Sequence, residues 1–377
     1  MASIKESDSS IGREAETALI SFTLSQQLQS PTLRCFFLNT IFNLELDPIS
    51  VQSRDDAFEA FFSRYSLLCN LAANTNRAIE SITHWQFAEI VIVVKDNPSD
   101  PRHKVISRIP GSQQLDWEQH GWDSHLAATV LDLAAGVWSM LSIGRFSGDV
   151  SYEEPIFWED KESLGEVIRK YLPSTPESQD MVKLPQTFTA AHLEQIGGIK
   201  VIWTSNLADH LLLKDDDTKL ILFHQVSILQ LHKAPQSILF QEGLVDETIR
   251  TISLLVPPIL GEFNPWFLKQ RRKHKIDAQA GNCARLNSSQ RQIENFVFWR
   301  DRLVLLKRTF DDAEPRSISQ LWWDDRKKTQ WFTFWVAVLV FFMTVFFGVI
   351  QSVAGIVQAW ASVQSLKAQN APSKSPS

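Results

Sequence analysis

The sequence predicts a mainly α chain of the α+β kind: a helical cytosolic domain with a small sheet, a long C-terminal helix and one transmembrane helix. Three observations lead there. Most apolar runs in residues 1–325 repeat at every third or fourth position, the spacing of amphipathic helices. Two short β-branched runs, at 199–203 and 220–223, flank a turn-rich stretch and suit strands of a small sheet. Residues 329–366 carry no charge at all, and 331–350 reads WFTFWVAVLVFFMTVFFGVI.

That last stretch is the strongest signal in the chain. Twenty residues in a helix cover about 30 Å, the thickness of a bilayer's hydrocarbon core. Buried helices of soluble proteins are rarely apolar on every face. The span is therefore placed at 331–350, extending to about residue 358. Arg326, Lys327 and Lys328 stand directly before it, with Lys307, Arg308 and Arg316 further back, against only Lys367 and Lys374 beyond it. This bias puts the N-terminal side in the cytosol. Trp331 and Trp335 are expected at the cytosolic interface and Trp360 at the far one, with Gln351 and Ser352 near the far headgroups or against a partner helix. The first sixteen residues, MASIKESDSSIGREAE, hold no apolar run of the signal-peptide kind. With the polar tail 367–377 this describes a tail-anchored layout.

Ahead of the span, helices are expected at 11–28, from Asp55 through Leu68, at 124–141 and at 160–172. The aromatic run at 34–44 carries no assignment. The β-branched run AEIVIVVK at 88–95 reads as a buried strand and 105–109 as its hairpin partner. A loop or linker rich in Pro, Ser and Thr, at 173–190, divides this N-terminal α+β region, 1–172, from a second one, 191–325. There a strand at 199–203 leads to a helix over NLADHLLL capped by Ser205. A KDDDT turn, a strand at 220–223 and a helix at 226–231 follow. A helix at 247–256 stops at Pro257 and Pro258, and a long amphipathic helix runs over 289–310.

Composition narrows the function. Of 377 residues, 44% are hydrophobic and 21% charged, which describes a folded chain rather than a disordered one. A net charge of -6 speaks against nucleic acid as a partner. Cys35, Cys69 and Cys283 are too far apart for a disulfide framework or a metal knuckle. The 24 Phe and 13 Trp fit a large core, or a surface for hydrophobic partners. The chain has no G-x-S-x-G, P-loop, G-x-G-x-x-G, H-E-x-x-H or C-x-x-C, so no catalytic residue and no cofactor is assigned. His210, His224 and His232 fall in one region near Asp209 and the Asp215–217 run. Imidazole and carboxylate suit divalent ions, and His210, His224 and Asp209 are the residues a metal would use. Their spacing does not fit one helix face, however, and no metal is assigned. The basic run KQRRKHK offers Lys269, Arg271, Arg272 and Lys273 either to solvent or to anionic lipid.

Three stretches resemble a known family: IKVIWTSNLADHLLL with the LILFH that follows, LVDETIRTISLLVPP, and LWWDDRKKTQWFTFWVAVLVFFMTVFFGVIQSVAG. They are similar to uncharacterised single-pass membrane proteins of filamentous fungi. The resemblance implies a membrane-anchored accessory or interaction protein with an unknown protein partner, some relatives lying beside secondary-metabolite genes. The general layout also resembles CorA-type magnesium transporters, without their Gly-Met-Asn signature and with one span only. That likeness implies, as an alternative, a degenerate divalent-cation transporter. An enzyme acting on a lipophilic substrate at the membrane surface is a third expectation.

Overall fold

Polar caps mark where several helices of the structure begin. The computed structural model describes residues 15–46, 55–109, 124–146, 154–172, 175–233, 239–259, 264–313 and 328–369. After a short helical segment at 15–21, α1 (Pro31–Phe42) gives the aromatic run a helical home, ending at Asn43 in the left-handed region, φ 52°. Helix α2 (Asp55–Thr75) follows as expected and turns Phe58, Phe61, Phe62, Tyr65 and Leu68 inward.

Residues 88–95 are not a strand. They lie in α3 (His84–Asp96), where Thr83 and Gln86 form a reciprocal capping box. Its buried residues include Phe87, Ile90, Val91 and Val94, a helical spacing. A β-branched run that is apolar throughout fits either period, so the cap and the packing decide. The expected hairpin partner at 105–109 likewise falls largely in a helix, α4 (Arg102–Ser107), which starts directly after Pro101. Helix α5 (Ser124–Ser139) packs on α3 and α2. Helix α6 (Leu164–Tyr171) starts later than the expected 160, because Ser163 and Glu166 set a second capping box.

After α7 (Ala190–Gln195) come β1 (Lys200–Thr204), β2 (Leu212–Lys214) and β3 (Lys219–Phe223). The sheet order is β1-β3-β2, with β1 parallel and β2 antiparallel to β3. The helix expected over NLADHLLL is only a 3-10 turn, Leu207–Asp209, capped by Asn206 rather than Ser205. Arg302 explains the truncation: its guanidinium donates to the carbonyls of Ala208 and His210, at 2.7 and 2.6 Å, oxygens that a continuing helix would need. Leu211 then turns left-handed, φ 61°, and the chain reverses into β2. Asp215, Asp216 and Asp217 all have positive φ in the expected tight turn, a conformation Asp tolerates better than most residues.

Helices α8 (Val226–His232), α9 (Leu244–Leu255) and α10 (Pro265–Lys273) follow. The long helix expected at 289–310 is replaced by irregular chain, a 3-10 turn at Ile293–Asn295, and the shorter α11 (Arg300–Asp312). The cause is Glu247 on α9. Its carboxyl oxygens accept the backbone N–H groups of Val297 and Trp299, at 2.8 and 2.7 Å, and these are then held for a carboxylate rather than a helix.

The chain divides into two compact units, Met1–Ala313 and Glu314–Ser377. In the first, one hydrophobic core runs through both sequence regions. Phe42 and Trp138 stand edge-on around His232, with ring centroids 5.1 and 4.6 Å from the imidazole. The Pro/Ser-rich loop lies against this unit: Asp301 accepts from the N–H groups of Glu177 and Ser178, both at 2.9 Å, and Asp180 pairs with Arg308. In the second unit α12 (Lys328–Gln369) is a single helix of 42 residues. The protein is thus mainly helical, with a three-stranded sheet and a long apolar helix near the C-terminus.

Candidate functional site

Each histidine singled out in the sequence is buried and already engaged. His210, 0% exposed, accepts at Nδ1 from the N–H of Phe223 (3.3 Å) and stands 2.7 Å through Nε2 from the Thr251 hydroxyl. Thr251 spends its proton on the carbonyl of Thr248, 2.7 Å away. Nε2 must therefore carry the proton and donate, which fixes a neutral imidazole. The Trp299 indole stands edge-on to this ring at 4.7 Å and donates to the Thr248 hydroxyl at 2.8 Å. Burial first, and the Arg302 charge second, hold the His210 pKa well below its usual value.

His224 sits in a separate buried group. It accepts from the N–H of Asp277 at 3.3 Å, and its Nε2 faces the Ser205 hydroxyl at 3.2 Å. Asp277 in turn accepts from the Ser227 N–H and hydroxyl, at 2.6 and 2.8 Å, and from the Gln279 N–H at 2.9 Å. His232 donates to the Trp138 carbonyl, 3.0 Å away, inside its aromatic cage. Burial lowers both imidazoles from the usual 6.5 to about 3, with Arg64 adding to the effect at His224 and Lys95 at His232. Burial also raises the Asp277 carboxyl to about 6, against its three hydrogen bonds.

Asp209 is buried as well and accepts from the Thr204 hydroxyl at 3.2 Å. His210, His224 and Asp209 therefore point their polar atoms at protein partners, and among the described residues no group of three His, Cys, Asp or Glu is arranged to hold a metal. Burial pushes the Cys69 and Cys283 thiols up to about 12, which keeps them as thiols rather than the nucleophilic thiolate at neutral pH. A half-open depression of about 20 Å³ is lined by Ser253, Arg285, Arg291 and Gln186; among the described residues its charged lining groups are arginines, which do not serve as a general base.

Sequence reading missed Glu247, Thr248, Thr251 and Trp299. The available signal was in DETIRT itself, where three polar residues fall on the inward side of an otherwise apolar helix face.

Two surfaces stay open. On α10, Lys269, Arg272 and Lys273 are exposed on one face, and among the described residues none of the three forms an ion pair. Arg271 is half-buried, close enough to Asp277 for its charge to act there. Trp266, donating to Glu194 at 2.7 Å, and the fully buried Phe267 hold the other end of this helix in place. The second surface is α12, where the 36-residue segment Phe332–Lys367 contains an 18-residue window with a mean hydropathy of 2.5 and no buried residue. At 1.5 Å per residue it is about 54 Å long, more than a bilayer's thickness. Trp335 and Trp360 lie about 38 Å apart along it by the same rise, near the spacing of two headgroup regions. Arg326 and Lys327 lie outside the described residues, as do the side chains of Lys328 and Trp331.

No protein-family model matches the chain, and no curated protein or solved structure matches it.

Acid should loosen the first unit. An unfolded imidazole titrates near 6.5 and the folded His224 and His232 near 3. Between those values the unfolded chain binds the extra proton, so their contribution is present above pH 6.5 and lost as pH falls. From pH 7 to pH 5 each loses about 2 kcal/mol. Asp277 works the other way, since its raised pKa makes the folded chain the better proton acceptor, returning about 1 kcal/mol. Urea unfolding of the full chain in detergent, followed by tryptophan fluorescence at both pH values, should show a net loss of about 3 kcal/mol or more; an unchanged midpoint would contradict the assignment.

Proposed function

We propose that the chain is a membrane-anchored accessory or interaction protein, held in the bilayer by one pass of α12 and presenting the Met1–Ala313 unit to the cytosol. The observation that carries this reading is the uncharged helix itself. Leaving 36 mostly apolar residues in water is costly at about 25 cal/mol per Å², and a bilayer removes that cost. Arg326, Lys327 and Lys328 before the span support the cytosolic side for the larger unit. The closed hydrogen bonding of His210, His224 and His232 supports a binding rather than a catalytic role. The resemblance to fungal single-pass proteins supports a place beside a secondary-metabolite pathway, with the partner a protein of that pathway.

The basic face of α10 supports a second contact, with anionic headgroups. Lys269, Arg272 and Lys273, with Arg271 beside them, would each add about 1 kcal/mol near a negatively charged leaflet.

Two measurements check this reading. In intact microsomes carrying the chain with a tag at each end, protease should remove the N-terminal tag, spare the C-terminal one, and alkaline carbonate should leave the protein in the pellet. Release by carbonate would remove the membrane reading, and a protected N-terminal tag would reverse the orientation. For the lipid contact, amine labelling of Lys269 and Lys273 in proteoliposomes should fall when phosphatidylserine replaces phosphatidylcholine and recover at high salt. Equal labelling in both lipids would leave α10 a solvated surface.

A further inference from the structure

Helix α12 is uncharged along its span but not uniform around its circumference. Thr344, Gly348, Gln351, Gly355, Gln358 and Ser362 follow one another at alternating steps of four and three residues, the seam spacing of a left-handed helix pair. At 100° per residue they fill an arc of about 80°. Leu339, Phe346, Val353 and Trp360, each seven residues from the next, line the opposite side.

The seam's polar groups divide into two kinds. Thr344 and Ser362 donate their hydroxyls back to the carbonyls of Val340 and Gln358, at 2.8 and 2.9 Å, and so are satisfied within the helix. Gln351 and Gln358 differ: among the described residues neither amide has a hydrogen bond. Gln351 lies nine residues before Trp360, about 14 Å inside that interface, where an unmet amide is costly. Gly348 and Gly355 stand about one turn to either side of it. A Cβ built at either glycine meets no atom within 4 Å, so bare backbone flanks the amide and a second helix can come close.

From this we infer that α12 pairs in parallel with a second copy of itself along this seam, Gln351 hydrogen-bonding across to Gln351. An amide is donor and acceptor at once, so two copies in register satisfy each other in both directions. Chains inserted by the same route share one orientation, which makes the pair parallel. The seam has no charge to call for an ionic partner. The inference rests on the proposed membrane span.

Cysteine cross-linking in microsomes tests it on the full chain, with little background because Cys35, Cys69 and Cys283 are buried. Under mild oxidation Ser362→Cys, on the seam, should form a dimer of the chain about tenfold more than Gln364→Cys, on the far side. Adding Gln351→Leu to Ser362→Cys should lower the yield about tenfold as well. In a carbonate-resistant protein, equal yields at 362 and 364, no dimer at either, or a yield unmoved by Gln351→Leu overturns the pair and leaves the anchor standing. An adduct of Ser362→Cys with a different protein overturns it too. Release by carbonate removes the anchor and the pair together.

Discussion

The first unit depends on one carboxyl group meeting two backbone N–H groups. Glu247, in the first turn of α9 and 1% exposed, holds Val297 and Trp299. Buried hydrogen bonds to a charged group contribute about 1.5–3 kcal/mol each, and removing the acceptor leaves both donors stranded. Once Trp299 is fixed, its indole reaches Thr248 and its ring stands edge-on to His210. One residue beyond Arg300, Asp301 takes hold of the Pro/Ser-rich loop and Arg302 reaches the turn after β1. That turn decides that the chain reverses into β2 instead of continuing as a helix. The start of α11, the turn after β1 and the loop's course are therefore linked to α9 through residues 299–302.

This explains which parts of the fold were legible from the amino acids alone. Strands β1 and β3 and helices α2, α5 and α8 follow local patterns, and their periods sufficed. Residues 88–95 did not, because a run of Ile and Val is apolar at both periods and only the cap at Thr83 separates them. The helix expected after Ser205 fails through Arg302, some ninety positions away in the chain, and no local window contains that contact. The same holds for 289–310, whose pattern is helical but whose N–H groups are claimed by Glu247.

The histidines teach a related lesson. In the sequence, His210, His224 and Asp209 are the residues a metal would use, though their spacing assigned none. The fold spends their polar atoms elsewhere, on Thr251, Phe223, Ser205, Asp277 and Thr204. Whether a buried imidazole is a ligand or a strut depends on its hydrogen-bond partners, and a sequence does not state them. The candidate membrane-spanning helix is the opposite case. A bilayer selects by composition and length, both of which are read directly, and the seam on α12 follows from its spacing.

The buried imidazoles are closed, neutral struts. Nitrogen-15 NMR of the histidine side chains in the detergent-solubilised full chain tests this most directly. His210 should be protonated at Nε2 with a bare Nδ1, and the signals of His210, His224 and His232 should not move between pH 7.5 and about 6 or on adding magnesium or zinc. A shift of His210 or His224 near pH 6.5, or on metal addition, would contradict this and make these imidazoles available to protons or metal.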